Sequence, residues 1–561
     1  MTSRTSRRVA VIDLGANTCR MIVVRSVPGF AFRLEDEIRE VVRLREGMTA
    51  DGLSEAAMDR AVATLKLYRR YCESAAVDEV IATATSAVRD GRNGDAFIER
   101  VREEVGFNLR VLSGEEEARY GVLGVLNDIP MDRGYVIDIG GGSAQISEVK
   151  EGRFRRGQAL PLGALRLTEA FVRNDPPTED EAMAIRTEIE AQLDTLTWLR
   201  PRKSAILAGL GGTIRNLGYI DIARRCLPLH TMHGVRVSRK AVKATIDQLL
   251  SLPLAERQRI SGLNADRADI ITPGMMVLAA VMKRVDAEEI AVSTNGLREG
   301  LFLEKFWAHL EYPVIPDVRR FGVLNLARIY DYEKSHANHV RYLALRLFDQ
   351  MRPLHGFDSA DRQLLDAAAL LHDVGTVIGY KGHHRHSASL IANNGLPGFS
   401  PREMALVALM ALYHRKGDPV PGEYVAVFEP GDAERLRKMS AILRLAEFLE
   451  RGRNAVVSDV IVTWNKRDLH VMLVADDYPA VELWDAERKA APLLADVFGR
   501  RVVLDSLADR PPSEPDVDTP DLAGGGDGMY VSEADDGDEG DDSSAGFSGT
   551  DAAARRRTVR D

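Results

Sequence analysis

The chain has 561 residues, 45% of them hydrophobic, and no uninterrupted apolar run reaches the ~18–20 residues of a membrane helix. Such a length exceeds what one hydrophobic core organises, so several domains are expected. The net charge of −10 comes from residues 511–561, which carry 14 acidic side chains against four arginines. Residues 1–510 are neutral overall. A polyanionic ligand would therefore have to be bound by local clusters of basic groups, because the protein has no overall positive charge to attract it. Three scattered cysteines exclude a disulfide framework and favour a reducing cytoplasm.

The first part of the chain predicts alternating strands and helices. An apolar run ends at Asp13, turns through a glycine and resumes at Thr18, which predicts a strand pair over 9–27. Ser54 is a suitable N-cap for the helix after it. The next predicted elements are a strand over 79–83, a helix over 96–105, a strand over 108–112 and a helix that opens at Ser113.

Three adjacent carboxylates, Glu115, Glu116 and Glu117, begin that last helix. Acids in a first helical turn ordinarily interact with the helix dipole and with solvent. One of them would have a chemical role only if it faced the glycine loop that follows in the chain.

Residues 135–143 form an apolar strand that ends at Asp138 and opens into three glycines and a hydroxyl. Glycines 140–142 lack a Cβ and let backbone N–H groups approach phosphate oxygens, while the strand holds the carboxylate at the rim. The stretch predicts a site for a phosphorylated ligand and a divalent cation. The same order of apolar strand, acid, glycine and hydroxyl occurs at Asp13, and a third glycine-rich turn covers 209–215. This repetition predicts two similar halves facing each other across a cleft.

The pattern changes after Pro313 and Pro316, which mark a domain boundary. Before them, the sequence predicts a helix over 179–199, a strand over 204–208 and a last helix over 301–310. After them come long helical periodicity with many histidines over 317–450, two candidate strands over 460–464 and 470–474, and a disordered tail from Pro511.

Six motifs occur in the order and at the spacing of one known family: Asp-Leu-Gly-Ala-Asn at 13–17, Ala-Thr-Ser-Ala-Val-Arg-Asp at 84–90, Ser-Gly-Glu-Glu-Glu-Ala at 113–118, Asp-Ile-Gly-Gly-Gly-Ser at 138–143, Gly-Gly-Thr at 211–213 and Leu-Arg-Glu-Gly at 297–300. Residues 9–310 thereby resemble the exopolyphosphatase/guanosine pentaphosphate phosphohydrolase family. Residues 317–505 resemble the helical HD-type domain of its longer members.

The resemblance implies an α/β fold of two actin-like (ribonuclease H-like) ATPase lobes with a central cleft. A mainly helical HD-like domain and a disordered acidic tail follow them. The implied domains are lobe I over 1–127, lobe II over 128–312, the helical domain over 317–508 and the tail over 511–561.

The resemblance also implies roles for individual residues. Glu117 stands where the family has its catalytic base, Asp138 where it has a magnesium-associated carboxylate, and Asp13 matches the first acid of the two-lobe signature. These three acids would hold Mg²⁺ or Mn²⁺, and Arg89 would assist catalysis. The implied phosphate-binding residues are Asn17, Arg20, Gly140, Gly141, Gly142, Ser143 and Arg298. Such a set suits hydrolysis of a terminal phosphoanhydride, which needs an aligned water, a base and donors to the phosphate oxygens.

One position departs from the family. Gln145 stands where relatives have a glutamate that helps to hold the metal or the attacking water, and a neutral amide cannot supply that charge. Glu148, three residues further on, is expected on the opposite face of a strand. Weaker metal affinity, altered metal preference and loss of activity are all open consequences.

The histidines of the C-terminal part allow three interpretations. HD-type phosphohydrolases use an ordered His…His-Asp…Asp set, which His336, His372 and Asp373 match, with Glu447 in place of the final Asp. A second metal site on these residues is one interpretation, and polar packing in a helical domain is another. In a third, basic residues line a path for a polyanion: His384, Arg385, His386, His414, Arg415 and Lys416.

The resemblance therefore implies an exopolyphosphatase that releases orthophosphate from inorganic polyphosphate. Two alternatives are hydrolysis of guanosine pentaphosphate (pppGpp) to the tetraphosphate (ppGpp) and a low-turnover sensor of polyphosphate or alarmone. A sugar kinase or actin-like ATPase is disfavoured, because the segments at Glu117 and Arg89 match the phosphatase branch. We expect a cytoplasmic homodimer that has no integral membrane segment and does not bind nucleic acid.

Overall fold

The computed structural model describes residues 6–229, 231–232 and 234–509. The acidic tail predicted over 511–561 lies outside the described residues. Within them, no helix is both long and apolar enough to span a bilayer.

The first lobe is a five-stranded sheet with helices on both faces. Its strand order is β3-β2-β1-β4-β5, in which β1, β2 and β3 pair antiparallel and β4 and β5 are added in parallel. The elements are β1 (Arg7–Leu14), β2 (Thr18–Val27), β3 (Ala31–Val41), α1 (Glu55–Ser74), β4 (Glu79–Ala84), α2 (Ser86–Asp90), α3 (Gly94–Val105), β5 (Arg110–Val111) and α4 (Gly114–Leu126).

The second lobe is a six-stranded sheet of order β10-β11-β9-β6-β7-β8. Its elements are β6 (Arg133–Ile139), β7 (Ala144–Lys150), β8 (Arg153–Leu160), α5 (Ala164–Phe171), α6 (Glu179–Asp194), β9 (Ile206–Leu210), α7 (Gly211–Arg224), β10 (Arg236–Ser238), α8 (Arg239–Ser251), α9 (Leu254–Arg257), a 3₁₀ turn (Ala265–Arg267), α10 (Ile271–Val285), β11 (Glu289–Val292) and α11 (Leu297–Phe306).

The two sheets share one topology. Read from its β8 edge, the second sheet repeats three antiparallel strands followed by two parallel ones, with β10 added at the far edge. β1 therefore corresponds to β6, β2 to β7, and α4 after β5 to α11 after β11. The duplication that the strand–acid–glycine turns predicted is confirmed.

The helices α4 and α11 cross between the lobes at points where only glycine fits. A Cβ on Gly124 would lie 2.4 Å from the carbonyl oxygen of Gly296, and one on Gly300 would lie 1.9 Å from that of Tyr120. Corresponding glutamates cap the two helices. Glu116 accepts a hydrogen bond from the N–H of Ser113 at 2.9 Å, and Glu299 from that of Gly296 at 2.7 Å.

The C-terminal part is a helical core closed by a three-stranded sheet of order β12-β13-β14. Its elements are α12 (Val318–Ile329), α13 (Lys334–Gln350), α14 (Arg352–His355), α15 (Ser359–Leu371), a 3₁₀ turn (Val374–Val377), α16 (His383–Asn394), α17 (Pro401–Tyr413), a 3₁₀ turn (Gly422–Val427), α18 (Asp432–Phe448), β12 (Val457–Trp464), β13 (Asp468–Ala475), α19 (Ala480–Lys489), α20 (Ala491–Phe498) and β14 (Arg501–Ser506).

This helical part packs onto the lobes, and the described residues up to Asp509 form one compact unit. On α12, the Asn325 side chain exchanges two 2.9 Å hydrogen bonds with the backbone of Phe32 in β3. The N–H of Gly398 donates to the carbonyl of Asp128 at 2.8 Å. Both lobe regions therefore contact the C-terminal part.

Several predicted boundaries differ from the structure: the helix predicted over 179–199 ends at Asp194, and the strands predicted over 204–208 and 460–464 are Ile206–Leu210 and Val457–Trp464. The strand predicted over 108–112 pairs only at Arg110–Val111, and the helix predicted over 301–310 begins earlier, at Leu297. The helix start is earlier because the capping carboxylate of Glu299 lies within the motif that was interpreted as a preceding turn.

Candidate active site

The cleft lies where the strand ends of both sheets meet. The glycine loop of the second lobe rests on the first lobe: a Cβ on Gly141 would lie 3.1 Å from Asn17 Cβ, and one on Gly142 would lie 2.5 Å from Ser86 Oγ. The structure brings most of the predicted site residues together here. Those that line the cleft are Asp13, Asn17, Arg20, Glu117, Asp138, Gly140, Gly141, Gly142, Ser143 and Arg298.

The three acids that begin α4 have different environments. Glu115 is exposed, and Glu116 caps the helix. Glu117 is only 8% exposed and lines the cleft beside the glycine loop. Of the three acids, Glu117 is therefore the one that faces the glycine loop, which is the position that a chemical role requires.

Both carboxylate oxygens of Glu117 are held in place. The Arg89 guanidinium donates to Oε1 and, at 2.8 Å, to the carbonyl of Leu112. The Gln145 amide donates to Oε2 at 2.7 Å and to Ser143 Oγ at 2.9 Å. Burial raises the pKa of Glu117 to about 7, against the lowering effect of Arg89. A carboxylate with this pKa and with lone pairs to spare suits a general base.

Asp13 and Asp138 occupy corresponding places at the ends of β1 and β6. In the strand pairs Asp13 lies opposite Arg20, and Asp138 opposite Gln145. Burial raises the pKa of each aspartate to about 6, and the charge of Asp138 adds to the rise at Asp13. Asp13 Oδ1 is buried and has no hydrogen-bond partner. Two neighbouring carboxylates disfavour each other's ionisation, and a cation bound between them would remove this repulsion. The oxygen of Asp13 that has no hydrogen-bond partner is available to such a cation.

The cleft acids do not by themselves close a coordination shell. In the part of the chain that the structure describes, triads of donor atoms within 4.8 Å of one another occur only in the C-terminal helical part. Mg²⁺ keeps several waters and is held by one or two carboxylates and substrate phosphates. An open set of Asp13, Asp138 and Glu117 therefore fits this ion.

Three arginines complete the lining of the cleft. Arg20, Arg215 and Arg267 lie together: burial lowers the pKa of Arg20 to about 9 and that of Arg267 to about 10, and repulsion from Arg215 adds to both shifts. Phosphate oxygens would relieve this repulsion. The Arg267 guanidinium packs against Gly212, where a Cβ would lie 2.1 Å from its Cζ.

The sequence reasoning assigned no role to two of these arginines. Arg215 belongs to the third glycine-rich turn, so a signal was present. Arg267 stands in a 3₁₀ turn more than fifty residues later, where no motif marks it.

Two arginines with predicted roles are already engaged. Arg298 is 5% exposed, and its Nη1 lies 2.9 Å from Glu37. Arg89 lies beyond Glu117, in an adjoining pocket that it shares with Ser86 and Ser143.

Glu148 is not a substitute for the family's glutamate. Arg156 and Arg202 bind its two oxygens at 2.6 and 2.5 Å, away from the cleft lining. The opposite-face prediction is confirmed.

The structure also brings together the four predicted residues of the C-terminal metal set. Glu447 Oε2 lies 3.0 Å from His372 Nε2 and 3.3 Å from His336 Nε2, and Asp373 lies 3.7 Å from both histidines. The predicted polyanion path is wrong for His384 and His414, because both are buried.

Duplicated sheets and a glycine-lined, arginine-rich cleft are typical of two-lobed, actin-like proteins that bind phosphate groups. The model of the Ppx/GppA phosphatase family matches residues 22–309, and that of its domain III matches residues 318–483. The chain belongs to the Ppx/GppA phosphatase family.

The chain is also similar to solved structures. An exopolyphosphatase from Cytophaga hutchinsonii is 29% identical over 54% of this chain and 98% of its own, with a TM-score of 0.50. The Ppx/GppA family member from Aquifex aeolicus is 28% identical over 53% of this chain and 97% of its own, with a TM-score of 0.47.

Proposed function

We propose that this phosphatase is an exopolyphosphatase, which releases orthophosphate from the end of inorganic polyphosphate. One observation carries the proposal: Glu117 is fixed between Arg89 and Gln145 and faces a cleft lined by glycine loops and crowded arginines. A base next to a phosphate cradle is what hydrolysis of a terminal phosphoanhydride requires.

In this mechanism the terminal phosphate lies against the loops at 140–143 and at Asn17. Backbone N–H groups and Arg215 or Arg267 stabilise the charge on its oxygens. Glu117 orients a water in line with the anhydride bond and takes its proton as the oxygen attacks phosphorus. The P–O bond to the shortened chain breaks, and that chain departs with the negative charge.

Asp13 and Asp138 would hold Mg²⁺, with Glu117 at the edge of the set. When bound, this ion supplies positive charge to the phosphate oxygens. Gln145 keeps Glu117 oriented through its hydrogen bond to Oε2.

The lining around the glycine loops suits a phosphate chain, whereas aromatic rings, such as that of Tyr219, line an adjoining cavity that shares Arg215 and Arg298 with the cleft. Among the described residues that line the cleft, the apolar side chains are aliphatic, such as Ile139, Leu210 and Leu297, and none is aromatic. A flat aromatic ring is the usual platform for stacking a base.

The test is orthophosphate release by purified protein with Mg²⁺, from long-chain polyphosphate and separately from pppGpp. We expect release from polyphosphate, and a fall in kcat of about 10²–10⁴-fold in Glu117→Gln, which removes the base. Glu115→Gln is the matched control, because this exposed acid belongs to the same helical turn.

Faster orthophosphate release from pppGpp than from polyphosphate would mean that pppGpp, not polyphosphate, is the substrate. Binding without release from either substrate would mean that the chain is a sensor.

A further inference from the structure

The C-terminal helical part contains a second group of buried metal donors, larger than the predicted set. It consists of four histidines and two carboxylates from five helices: His336 on α13, His372 and Asp373 at the end of α15, His383 on α16, His414 at the end of α17 and Glu447 on α18. All six side chains are buried within the core of this part. His383 and His414 belong to no part of the set predicted from the sequence. We call these six residues the histidine cluster.

Three of its histidines are fixed in one tautomer. The Nδ1 atoms of His372 and His383 lie 2.8 Å, and that of His414 lies 2.7 Å, from the carbonyl oxygen three residues earlier. Because a carbonyl only accepts, each Nδ1 carries the proton, and in the neutral ring Nε2 keeps its lone pair. A backbone anchor on the other ring nitrogen is the usual support of a metal-ligating histidine.

The Nε2 atoms of the cluster converge in pairs, and in one pair the rings of both His383 and His414 have their proton on Nδ1. His336 Nε2 lies 3.2 Å from His372 Nε2, and His383 Nε2 lies 3.3 Å from His414 Nε2. Acceptors that face each other in a buried site repel unless a cation lies between them.

The carboxylates add to this convergence. Asp373 Oδ1 lies 3.1 Å from His383 Nε2 and 3.5 Å from His414 Nε2, yet Asp373 Oδ1 and Glu447 Oε2 have no hydrogen bond of good geometry. Metal–donor bonds of ~2.1 Å place neighbouring donors of one shell roughly 3.0–3.4 Å apart. The two histidine pairs, the contacts of Glu447 with His336 and His372 and that of Asp373 with His383 match that spacing at 3.0–3.3 Å, and Asp373 lies slightly further, at 3.5–3.7 Å, from the other three histidines.

From this geometry we propose that the histidine cluster binds two divalent transition-metal ions, which share Asp373. The donors form three overlapping triads, and Asp373 belongs to two of them, one with His336 and His372 and one with His383 and His414. Glu447 joins His372 and His414 in the third triad, which overlaps both of the others. This centre is separate from the cleft and does not rest on the proposed function.

Its donors select a different metal from the cleft. Four imidazoles favour Fe²⁺, Co²⁺ or Zn²⁺ and, together with two carboxylates, also accept Mn²⁺, whereas an all-oxygen site suits Mg²⁺ or Mn²⁺, so that Mg²⁺ in excess occupies the cleft. The two sites of one chain would therefore be filled independently.

The centre opens onto a cavity of about 430 Å³ whose lining includes His383 and Glu447. Six cationic side chains also line it: Arg415, Lys416, Arg444, Arg451, Arg453 and Lys489. Among the described lining residues Glu447 is the one acid. Within the described contacts, Arg453 pairs with Asp373, Arg451 and Lys489 pair with Asp485, and Arg444 donates to backbone carbonyls. Arg415 and Lys416 are therefore the two cations that remain for a ligand. Metal ions beside these two cations recognise a phosphate group, which is the ligand class that we assign to this cavity.

The metal test uses the full-length chain, loaded with Mn²⁺ in excess Mg²⁺, desalted and measured for metal content. We expect two equivalents of Mn²⁺ in the unchanged protein, and the loss of at least one in His336→Gln and in His414→Gln. His384→Gln is the matched control, because this buried histidine adjoins His383 but belongs to none of the triads. It should keep both equivalents.

A second measurement needs no substitution. Two Mn²⁺ ions that share a carboxylate lie ~3.5–4 Å apart, so the electron paramagnetic resonance spectrum of the loaded protein should show spin coupling. Fewer than two equivalents together with an uncoupled spectrum would overturn the proposal. The cluster would then be a buried network of protonated histidines and carboxylates.

The anion test uses the Mn²⁺-loaded chain with Asp138→Asn, which weakens the cleft, and inorganic phosphate as the probe. Replacing both Arg415 and Lys416 by alanine should weaken phosphate binding about tenfold and leave the metal content unchanged. Equal phosphate affinity with and without these cations would overturn the assignment of the ligand.

Discussion

At the scale of single residues, position 145 determines how the cleft balances charge. A glutamate there would place a second carboxylate against Glu117, whereas the amide of Gln145 donates a hydrogen bond to it. The neutral amide thus secures the proposed base and removes one charge from the proposed metal site.

Restoring that charge should tighten metal binding. Gln145→Glu is expected to lower the Mg²⁺ concentration for half-maximal phosphate release by about tenfold, since ligand charge sets the affinity of such sites. Titration of activity with Mg²⁺ measures it. Gln192→Glu on α6 adds the same charge outside the cleft lining and should change nothing. An unchanged midpoint in Gln145→Glu would mean that this position does not face the ion.

The sequence was a good guide to residues at strand ends and a poor one to residues placed by tertiary packing. Asp13 and Asp138 were predictable because a buried strand, an acid and a glycine follow one another locally. Arg267 enters the cleft only because its helix-like turn packs over Gly212. His414 was assigned to a basic path and His383 to no site, since nothing local shows that their Nδ1 atoms bind carbonyls and turn Nε2 inward.

At the scale of secondary structure, the apolar strands β1, β4, β6 and β9 were predicted, whereas the polar edge strands β3, β8 and β10 were missed. β1, β4 and β6 are apolar because helices cover both faces of each sheet. β3 and β8 lie at sheet edges and are only partly buried, so their sequences contain many polar residues and lack the apolar pattern by which a strand is predicted.

One buried carboxylate joins two helices of the C-terminal part. Asp432, at the start of α18, accepts hydrogen bonds from Arg402 of α17 at 2.6 Å, from Arg435 at 2.6 Å and from the N–H of Glu429 at 2.8 Å. Burial alone would raise the pKa of Asp432, but these donors hold it below its usual value.

Asp432→Asn should therefore cost about 2–4 kcal/mol in the free energy of unfolding, because the substitution leaves Arg402 without its buried partner. The stabilisation is fully present above the unfolded-state pKa of about 4, and it is lost as pH falls through the lower folded-state pKa. Chemical denaturation at pH 7 and at pH 3 measures both effects. Asp418→Asn breaks an exposed pair with Arg437 and should cost little. An Asp432→Asn loss as large at pH 3 as at pH 7 would contradict this account.

At the scale of the whole molecule, an aromatic cluster fastens the C-terminal part to the first lobe. Phe321 of α12 stacks on Phe32 of β3 at 6.0 Å and meets Trp307, just after α11, at 4.8 Å between ring centroids. The domain limits at 127, 312 and 508 remain predictions, as does the homodimer.

Phe321→Ala should loosen this junction. Loss of a half-buried aromatic ring is expected to cost about 2 kcal/mol and to lower the midpoint of thermal unfolding by several degrees. Limited proteolysis near Pro313 and Pro316 should also become faster. Tyr342→Ala removes an exposed ring of α13 and serves as the control. Equal stability and equal cleavage in both variants would show that the aromatic cluster does not fasten the two parts.

The correspondence of α4 and α11 has a consequence for how a substrate is oriented. Inorganic polyphosphate is identical when read from either end, and a cleft built from two matching halves would accept it both ways round. After the capping glutamate, however, one helix continues with Glu117 and the other with Gly300, which packs against the backbone of Tyr120. A single carboxylate thus breaks the twofold likeness of the scaffold and gives a ligand without polarity one defined end at which to react.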